Sequence, residues 1–267
     1  MNLLPVLWRP QLDSIYAMDA LLLMQACEDH SVDAIISDPP YNLTELAFEQ
    51  AIDWPEFWKQ ARRIAKMPQT PVILFSQQPF TTDLINSNRR GFRYEIIMEK
   101  TMPTGFLDAN RRPLRSHENI LIFGDRLPAY APVMEFSNVI RARSLKRDGT
   151  SGHYGKIRNS TWVDDGRRYP RSVWRFAQRK NAFSNTKTLH PTEKPLACLE
   201  RLIRLYTRPG DVILDPFIGS GTTAVAARGL QRHFIGGDSS PDMIAGAQGR
   251  LHLPYMVDMF ASLEKTA

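Results

Sequence analysis

At 267 residues the chain is long enough for one large α/β domain carrying an insertion, and a composition of 43% hydrophobic and 23% charged residues excludes a disordered or fibrous protein. Its 2 cysteines allow neither a disulfide framework nor a cysteine metal cluster, and the longest apolar run, Ala20 to Met24, falls far short of the ~20 residues that cross a bilayer. The formal charge of +6 is modest but uneven: Arg141 to Lys187 holds 13 Lys and Arg against 3 Asp, which leaves the rest of the chain net acidic.

The elements alternate from the start. Met1 to Pro10 lacks the basic start, apolar stretch and cleavage site of an export signal, so the expected address is the cytoplasm, with no membrane partner. Ser14 to Met18 and Val32 to Ser37 have strand length, and Ala20 to Asp29 between them has helical spacing; this is the β-α-β pattern of a parallel sheet. A helix over Trp54 to Met67 follows, then strands at Pro71 to Phe75, Tyr94 to Glu99 and Asn119 to Phe123. Beyond Gly124 the alternation stops, and the chain to about Leu189 is basic, irregular and rich in Ser, Asn, Gly and aromatic residues. It resumes with helix Leu196 to Tyr206, a turn at Pro209 and Gly210, strand Asp211 to Asp215, helix Thr222 to Gly229, strand His233 to Asp238 and a helix from Pro241. The expectation is a single α/β domain over residues 1–267, with an inserted basic region at about 125–188 that is longer than a plain connection requires.

Two constellations carry chemistry. Val212 to Asp215 runs into Pro216-Phe217-Ile218-Gly219-Ser220-Gly221-Thr222-Thr223, a buried strand entering a helix through a turn whose glycines permit close approach of a ligand. A helix start attracts a carboxylate or phosphate, and Asp238, ending the next strand, can bind the hydroxyls of a ribose. The turn lacks the third glycine of a dinucleotide fingerprint and the GK[ST] ending of a phosphate loop, so a ligand with a ribose and a carboxylate fits better than a nicotinamide cofactor or ATP. The second constellation is Asp38-Pro39-Pro40-Tyr41 at the carboxyl end of a predicted parallel strand, the edge where ligands of α/β sheets bind. Its prolines fix the backbone so that carbonyls beside Asp38 can face a cavity. A carboxylate and a carbonyl accepting the two N–H bonds of a base amino group would draw its lone pair out of the ring, and Tyr41 offers a face for an extruded base. Each motif has a plainer alternative: glycines that only tighten a turn, and a tetrad that only ends a strand and caps a helix.

Together, Asp38 to Tyr41 and Phe217 to Gly221 resemble the (D/N/S)PP(Y/F/W) tetrad and FxGxG turn of the DNA amino-methyltransferases, and their order, tetrad first with a basic segment between, is similar to the β arrangement of that family. The resemblance covers nearly the whole chain. It implies a Rossmann-like methyltransferase fold, mostly parallel with one antiparallel strand, in circularly permuted motif order, and S-adenosyl-L-methionine as cofactor. It also implies that Asp38, Pro39, Pro40 and Tyr41 form the catalytic tetrad, Asp38 also lining the cofactor site. Tyr16 to Ala20 resembles the family segment whose acid meets the cofactor's adenine, which implicates Asp19 and Ala20, although Met18 replaces the usual glycine. His190 to Pro195 resembles the segment that binds the methionine end, with Lys194 as the carboxylate partner; by the same resemblance Asp215 meets the amino group and Asp238 the ribose, with Phe217, Gly219, Ser220, Gly221 and Thr222 around them. His190 and Lys194 can equally be solvated, and Asp19 can be a helix cap.

The basic segment suits double-stranded DNA, with cations on phosphates and aromatic residues between them. Arg141, Arg143, Lys146, Arg147, Arg167, Arg168 and Arg171 are its candidate contacts, extended at lower priority by Arg111, Arg112 and Arg115. The expected reaction is adenine-N6 methylation at a specific site, by direct attack of a flipped-out base. Asp38 favours adenine over cytosine N4, where the family tends to have Ser, and neither cysteine follows a proline as a cytosine-C5 nucleophile would. A cytosine-N4 enzyme and a catalytically silent DNA-binding subunit are the alternatives. The resemblance also raises a homodimer, a cognate restriction endonuclease, and a bacterial or phage source.

Overall fold

The computed structural model describes residues 8–41, 52–137, 149–151, 155–157, 164–176 and 193–252. In chain order the elements are β1 (Ser14–Ala17), α1 (Ala20–Ala26), β2 (Ala34–Ser37), α2 (Trp54–Ile64), β3 (Val72–Ser76), α3 (Phe80–Ser87), β4 (Phe92–Thr104), β5 (Arg115–Phe123), β6 (Glu135–Phe136), β7 (Gly149–Ser151), β8 (Gly155–Ile157), β9 (Arg167–Arg168), β10 (Val173–Phe176), α4 (Leu196–Tyr206), β11 (Val212–Asp215), α5 (Thr222–Gly229), β12 (His233–Asp238) and α6 (Pro241–His252).

Eight strands form one sheet in the order β1-β12-β11-β2-β3-β5-β4-β10, and β5 alone runs antiparallel to its neighbours. The order reverses between β11 and β2. β11 continues leftward through β12 to β1, whereas β2 continues rightward to β3; a cleft at the carboxyl ends of the strands is expected at such a switch point. β2 and β11 are near-continuous apolar runs, Ala-Ile-Ile-Ser and Val-Ile-Leu-Asp, because both faces of the central sheet are covered. Alternate side chains serve opposite faces. Ile36, Ile73, Phe75 and Ile213 pack with residues of α4, α5 and α6, while Ile35, Val72, Leu74 and Leu214 pack with residues of α1, α2 and α3. All eight strand residues are at most 6% exposed, and each such aliphatic or aromatic side chain contributes about 1.5–3 kcal/mol on burial.

The α/β architecture, the antiparallel strand and the helices on both faces agree with the expectation. α4, α5 and β12 have the expected bounds, and α1 is shorter because Cys27 turns extended (ψ 145°) and ends it. α3 was not expected: Phe-Thr-Thr-Asp-Leu-Ile-Asn-Ser mixes β-branched and turn-favouring residues, and tertiary burial of Phe80 and Leu84 holds it helical. β10 is the other difference. It lies within the segment read as irregular, yet it extends the main sheet by parallel pairing with β4. β4 is also longer than Tyr94 to Glu99; with β5 it forms a ribbon whose far end carries a short 3-10 turn, Phe106–Asp108, and the fully exposed Leu107. Among the described residues, Cys27 and Cys198 are free and buried, no cluster of metal-binding side chains occurs, and no helix is long and apolar enough to cross a membrane.

Candidate active site

Because β1, β12, β11 and β2 are mutually parallel, their carboxyl ends share one edge. Each ends on or beside an aspartate: Asp19 after β1, Asp238 closing β12, Asp215 closing β11 and Asp38 after β2. β11 pairs directly with β2 (Leu214 opposite Ile35), and the Ser37 hydroxyl donates a short hydrogen bond to the Asp215 carboxyl. Residues 178 positions apart thus meet at the switch point.

On the β2 side, the tetrad's carboxylate is engaged through both oxygens. The Tyr41 hydroxyl donates to Asp38 Oδ1 at 2.7 Å, and Lys194 Nζ lies 2.5 Å from Oδ2. The same ammonium is 3.1 Å from Glu118 Oε2, and Lys100 Nζ is 2.9 Å from Glu118 Oε1. Lys194 also sits 5.6 Å from the Tyr41 ring centre and 5.3 Å from that of Phe75, within cation–π range. Burial alone would lower the Lys194 pKa; Asp38 and Glu118 outweigh it and raise it, so the ammonium is firmly charged. Burial likewise disfavours the Glu118 carboxylate, but Lys194 and Lys100 hold its pKa below the usual value. The Tyr41 pKa is pushed well up, first by burial and then by the charges of Asp38 and Glu118, so the phenol keeps its proton. Its ring stacks on Phe80 with centres 5.2 Å apart and planes 24° apart.

On the β11 side, the glycine turn is built around Asp238. Gly219 N–H donates to Asp238 Oδ2 at 3.1 Å and Ser240 N–H to Oδ1 at 2.8 Å, which ties the turn to the end of β12. Gly221 caps α5 at φ 80°, and a Cβ there would lie 2.8 Å from Ala247 Cβ, so only glycine fits. Behind the turn, Arg250 bonds the Ser220 carbonyl at 2.9 Å and the Thr222 hydroxyl at 3.1 Å, and pairs with Glu193 at 2.8 Å; Thr222 also donates to Glu193 at 3.2 Å. Asp215 is 4% exposed, and burial pushes its pKa up to about 7 despite hydrogen bonds from Ser37, Thr223 and Phe217 N–H; the Asp38 charge adds to the rise. Phe217 packs 6.5 Å from Phe57, on the face covered by α2. Asp19 accepts from Leu21 N–H at 2.9 Å and Leu22 N–H at 3.1 Å as the cap of α1, and Ala20 is the buried first residue of that helix.

Thus the structure gathers Asp19, Ala20, Asp38 to Tyr41, Asp215, Phe217 to Thr222 and Asp238 along one edge. Lys194, expected to meet the carboxylate at the methionine end, comes to the same edge, where its ammonium lies on Asp38 and Glu118. The candidate DNA contacts divide. Arg141, Arg143, Lys146 and Arg147 lie outside the described residues, as does His190. The Arg168 guanidinium forks onto the buried Asp164 at 2.6 and 2.8 Å, which ties it to the turn ahead of β9. Arg167 pairs with Asp165 at 2.6 Å, whereas the side chain of Arg171 is exposed. Sequence reasoning missed Glu118, Lys100 and Arg250. For Glu118 the signal was an acid directly ahead of the apolar run Asn119 to Phe123, inside a strand where an unpaired charge would be costly.

Residues 32–248 match the N6/N4 methyltransferase family model, described as DNA methylase. The chain is 28% identical over 254 residues to the type II methyltransferase M.BglII of Bacillus subtilis, an alignment covering 88% of this chain and 68% of that protein. Among solved structures it resembles the M1.HpyAVI-SAM complex at a TM-score of 0.57 and 25% identity, over 90% of this chain and 99% of the other. It also shares its fold with the PvuII DNA methyltransferase (cytosine-N4-specific), at a TM-score of 0.66 and 16% identity, over 96% and 92%.

Proposed function

Since the chain belongs to the N6/N4 DNA methylase family, we propose that it transfers the methyl group of S-adenosylmethionine to the N6 amino group of an adenine in double-stranded DNA. The observation that carries this reading is the pairing of β11 with β2, which sets the glycine turn and the Asp38 tetrad at neighbouring strand ends. The residues present suit such a cofactor: Asp238 for the ribose, Asp19 and Ala20 for the adenine, the buried Asp215 for an ammonium, and the turn from Phe217 to Thr222 beside them.

S-adenosylmethionine supplies a methyl group already activated on a positive sulfur. The chain's own work is alignment and electrostatics. Asp38 and the adjoining carbonyl accept the two N–H bonds of the amino group, which concentrates its lone pair, and Tyr41 stacks against the flipped base, a contact worth about 1–3 kcal/mol. As the C–N bond forms and the C–S bond breaks, the nitrogen sheds a proton, for which the Asp38 carboxylate is the nearest base. The segment at 125–188 acts as an inserted target-recognition region of this one domain, with Arg141, Arg143, Lys146, Arg147, Arg167, Arg168 and Arg171 as phosphate or base contacts. Adenine is preferred over cytosine because Asp opens the tetrad. In this reading the enzyme works in a bacterial cytoplasm as the modification partner of a restriction endonuclease that reads the same site.

The test is incubation of the purified protein with tritiated S-adenosylmethionine and unmethylated genomic DNA, followed by nucleoside analysis. N6-methyladenine is the expected product, and Asp38→Ala should abolish transfer while leaving DNA affinity within a few-fold. N4-methylcytosine would replace the adenine assignment, and an active Asp38→Ala would remove that residue from the chemistry.

A further inference from the structure

Two buried charges in the site, Glu118 and Lys100, are not accounted for by the tetrad or the glycine turn. β5, the antiparallel strand, delivers Glu118 to the same strand-end edge, and four ionic side chains stand in a row there: Lys100, Glu118, Lys194 and Asp38. Their side chains are 7%, 12%, 9% and 30% exposed, so the row is sealed at the β4 and β5 end and opens at Asp38. Its two cations and two carboxylates sum to zero, as a buried group must approximately do. The Tyr41 hydroxyl donates to the Asp38 oxygen that Lys194 does not hold.

The sharing of Lys194 matters. An ammonium bound to Asp38 alone would spend its whole field on that carboxylate and weaken it as an acceptor for an incoming amino group. Glu118 takes part of that field from the other side and fixes the Lys194 side chain, which reaches Asp38 from the segment ahead of α4. Resting on the reading of Asp38 given above, we propose that Glu118 is a positioning residue for methyl transfer: through Lys194 it sets the orientation of the Asp38 carboxylate and how far the ammonium is committed to it. The other titratable groups facing the row are Asp215 on β11, Tyr41, and the buried Cys198 of α4; burial pushes the thiol pKa well up, so it contributes no charge. A purely structural pair pinning β5 to β4 would need Lys100 and Glu118 only, with no second cation and no open end.

Glu118→Gln in the full chain tests this, measured under single turnover at saturating S-adenosylmethionine so that cofactor binding does not contribute. The expected result is a loss of about tenfold or more in the transfer step, with DNA and cofactor dissociation constants unchanged within about twofold. An unchanged rate of transfer would overturn the proposal. If Glu118→Gln does not fold, Glu118→Asp, which keeps the charge but withdraws it by one methylene, is read the same way: slower transfer at unaltered affinities supports the role, and wild-type transfer overturns it. Transfer by the wild-type protein separates the two readings, since its absence defeats the assignment of Asp38 together with that of Glu118, whereas a normal wild type with an indifferent Glu118 variant defeats only the latter.

Discussion

Asp215 ends β11 almost fully buried, with Ser37 and the Phe217 N–H bonded to it and the Asp38 carboxylate nearby. Burial, and secondarily Asp38, raises its folded pKa to about 7 from an ordinary value of 3.8. A carboxyl raised on folding binds its proton more tightly in the folded state, so its contribution to stability is complete below the unfolded pKa and is lost as pH climbs towards about 7. The stability of the wild type should therefore fall between pH 5 and pH 8 by more than that of Asp215→Asn, as urea titrations at the two values would measure; equal slopes would mean that the carboxyl ionises freely. A cation arriving beside Asp215 reverses the balance and expels the proton, which makes this position responsive to an ammonium ligand. The aspartates of the site were legible in the sequence because each follows an apolar strand, and strand ends are where α/β folds place chemistry. The identity of Lys194 was legible too, but not its place. Its partner Glu118 belongs to a strand 76 positions earlier, and only the pairing of β3, β5 and β4 brings that strand to the tetrad. The pairing of Arg168 was not legible for a related reason: counting charges in a basic run cannot tell which of them lies against a buried Asp164.

At the scale of elements, α5 and α6 press together at Gly221. Its φ of 80° costs an L side chain about 1–2 kcal/mol, and a methyl group would also meet Ala247 at 2.8 Å. Gly219, with φ 50° and nothing within 4 Å of a Cβ, carries only the conformational part. Gly221→Ala should thus lower the melting temperature by about 5 °C or more and Gly219→Ala by clearly less, as differential scanning calorimetry can compare; a reversed order would contradict this packing. Buried strands such as β2 and β11 were readable as continuous apolar runs, and amphipathic helices such as α4 because their period repeats several times. β10 was not: Val-Trp-Arg-Phe has one buried Trp174 between exposed neighbours, too short a run to show alternation, and its place in the sheet is dictated by the free edge of β4. α3 likewise owes its form to what it covers.

For the whole molecule, the order β1-β12-β11-β2 means that the two last strands of the chain are wedged between the two first. The contacts that close this wedge are long-range and dense: β1 meets β12 over four residue pairs, Ser14 to Ala17, and β11 lies against both β12 and β2. A protein cut between Ser151 and Gly155 should therefore yield two pieces that are each aggregation-prone and without a cooperative melt, yet co-purify and regain methyl transfer when expressed together. Independent folding of the piece containing β1 and β2 would show that the sheet can close without its centre.

The same wedge governs how the chain is made. While the ribosome extends the polypeptide from the N-terminus, β1 and β2 emerge early with open, unpartnered edges, and the strands that must separate them arrive only after more than two hundred residues. Until β11 and β12 follow, the nascent chain must keep two sticky borders apart, so its yield in a cell will track the supply of chaperones that bind extended segments more closely than the stability of the finished fold.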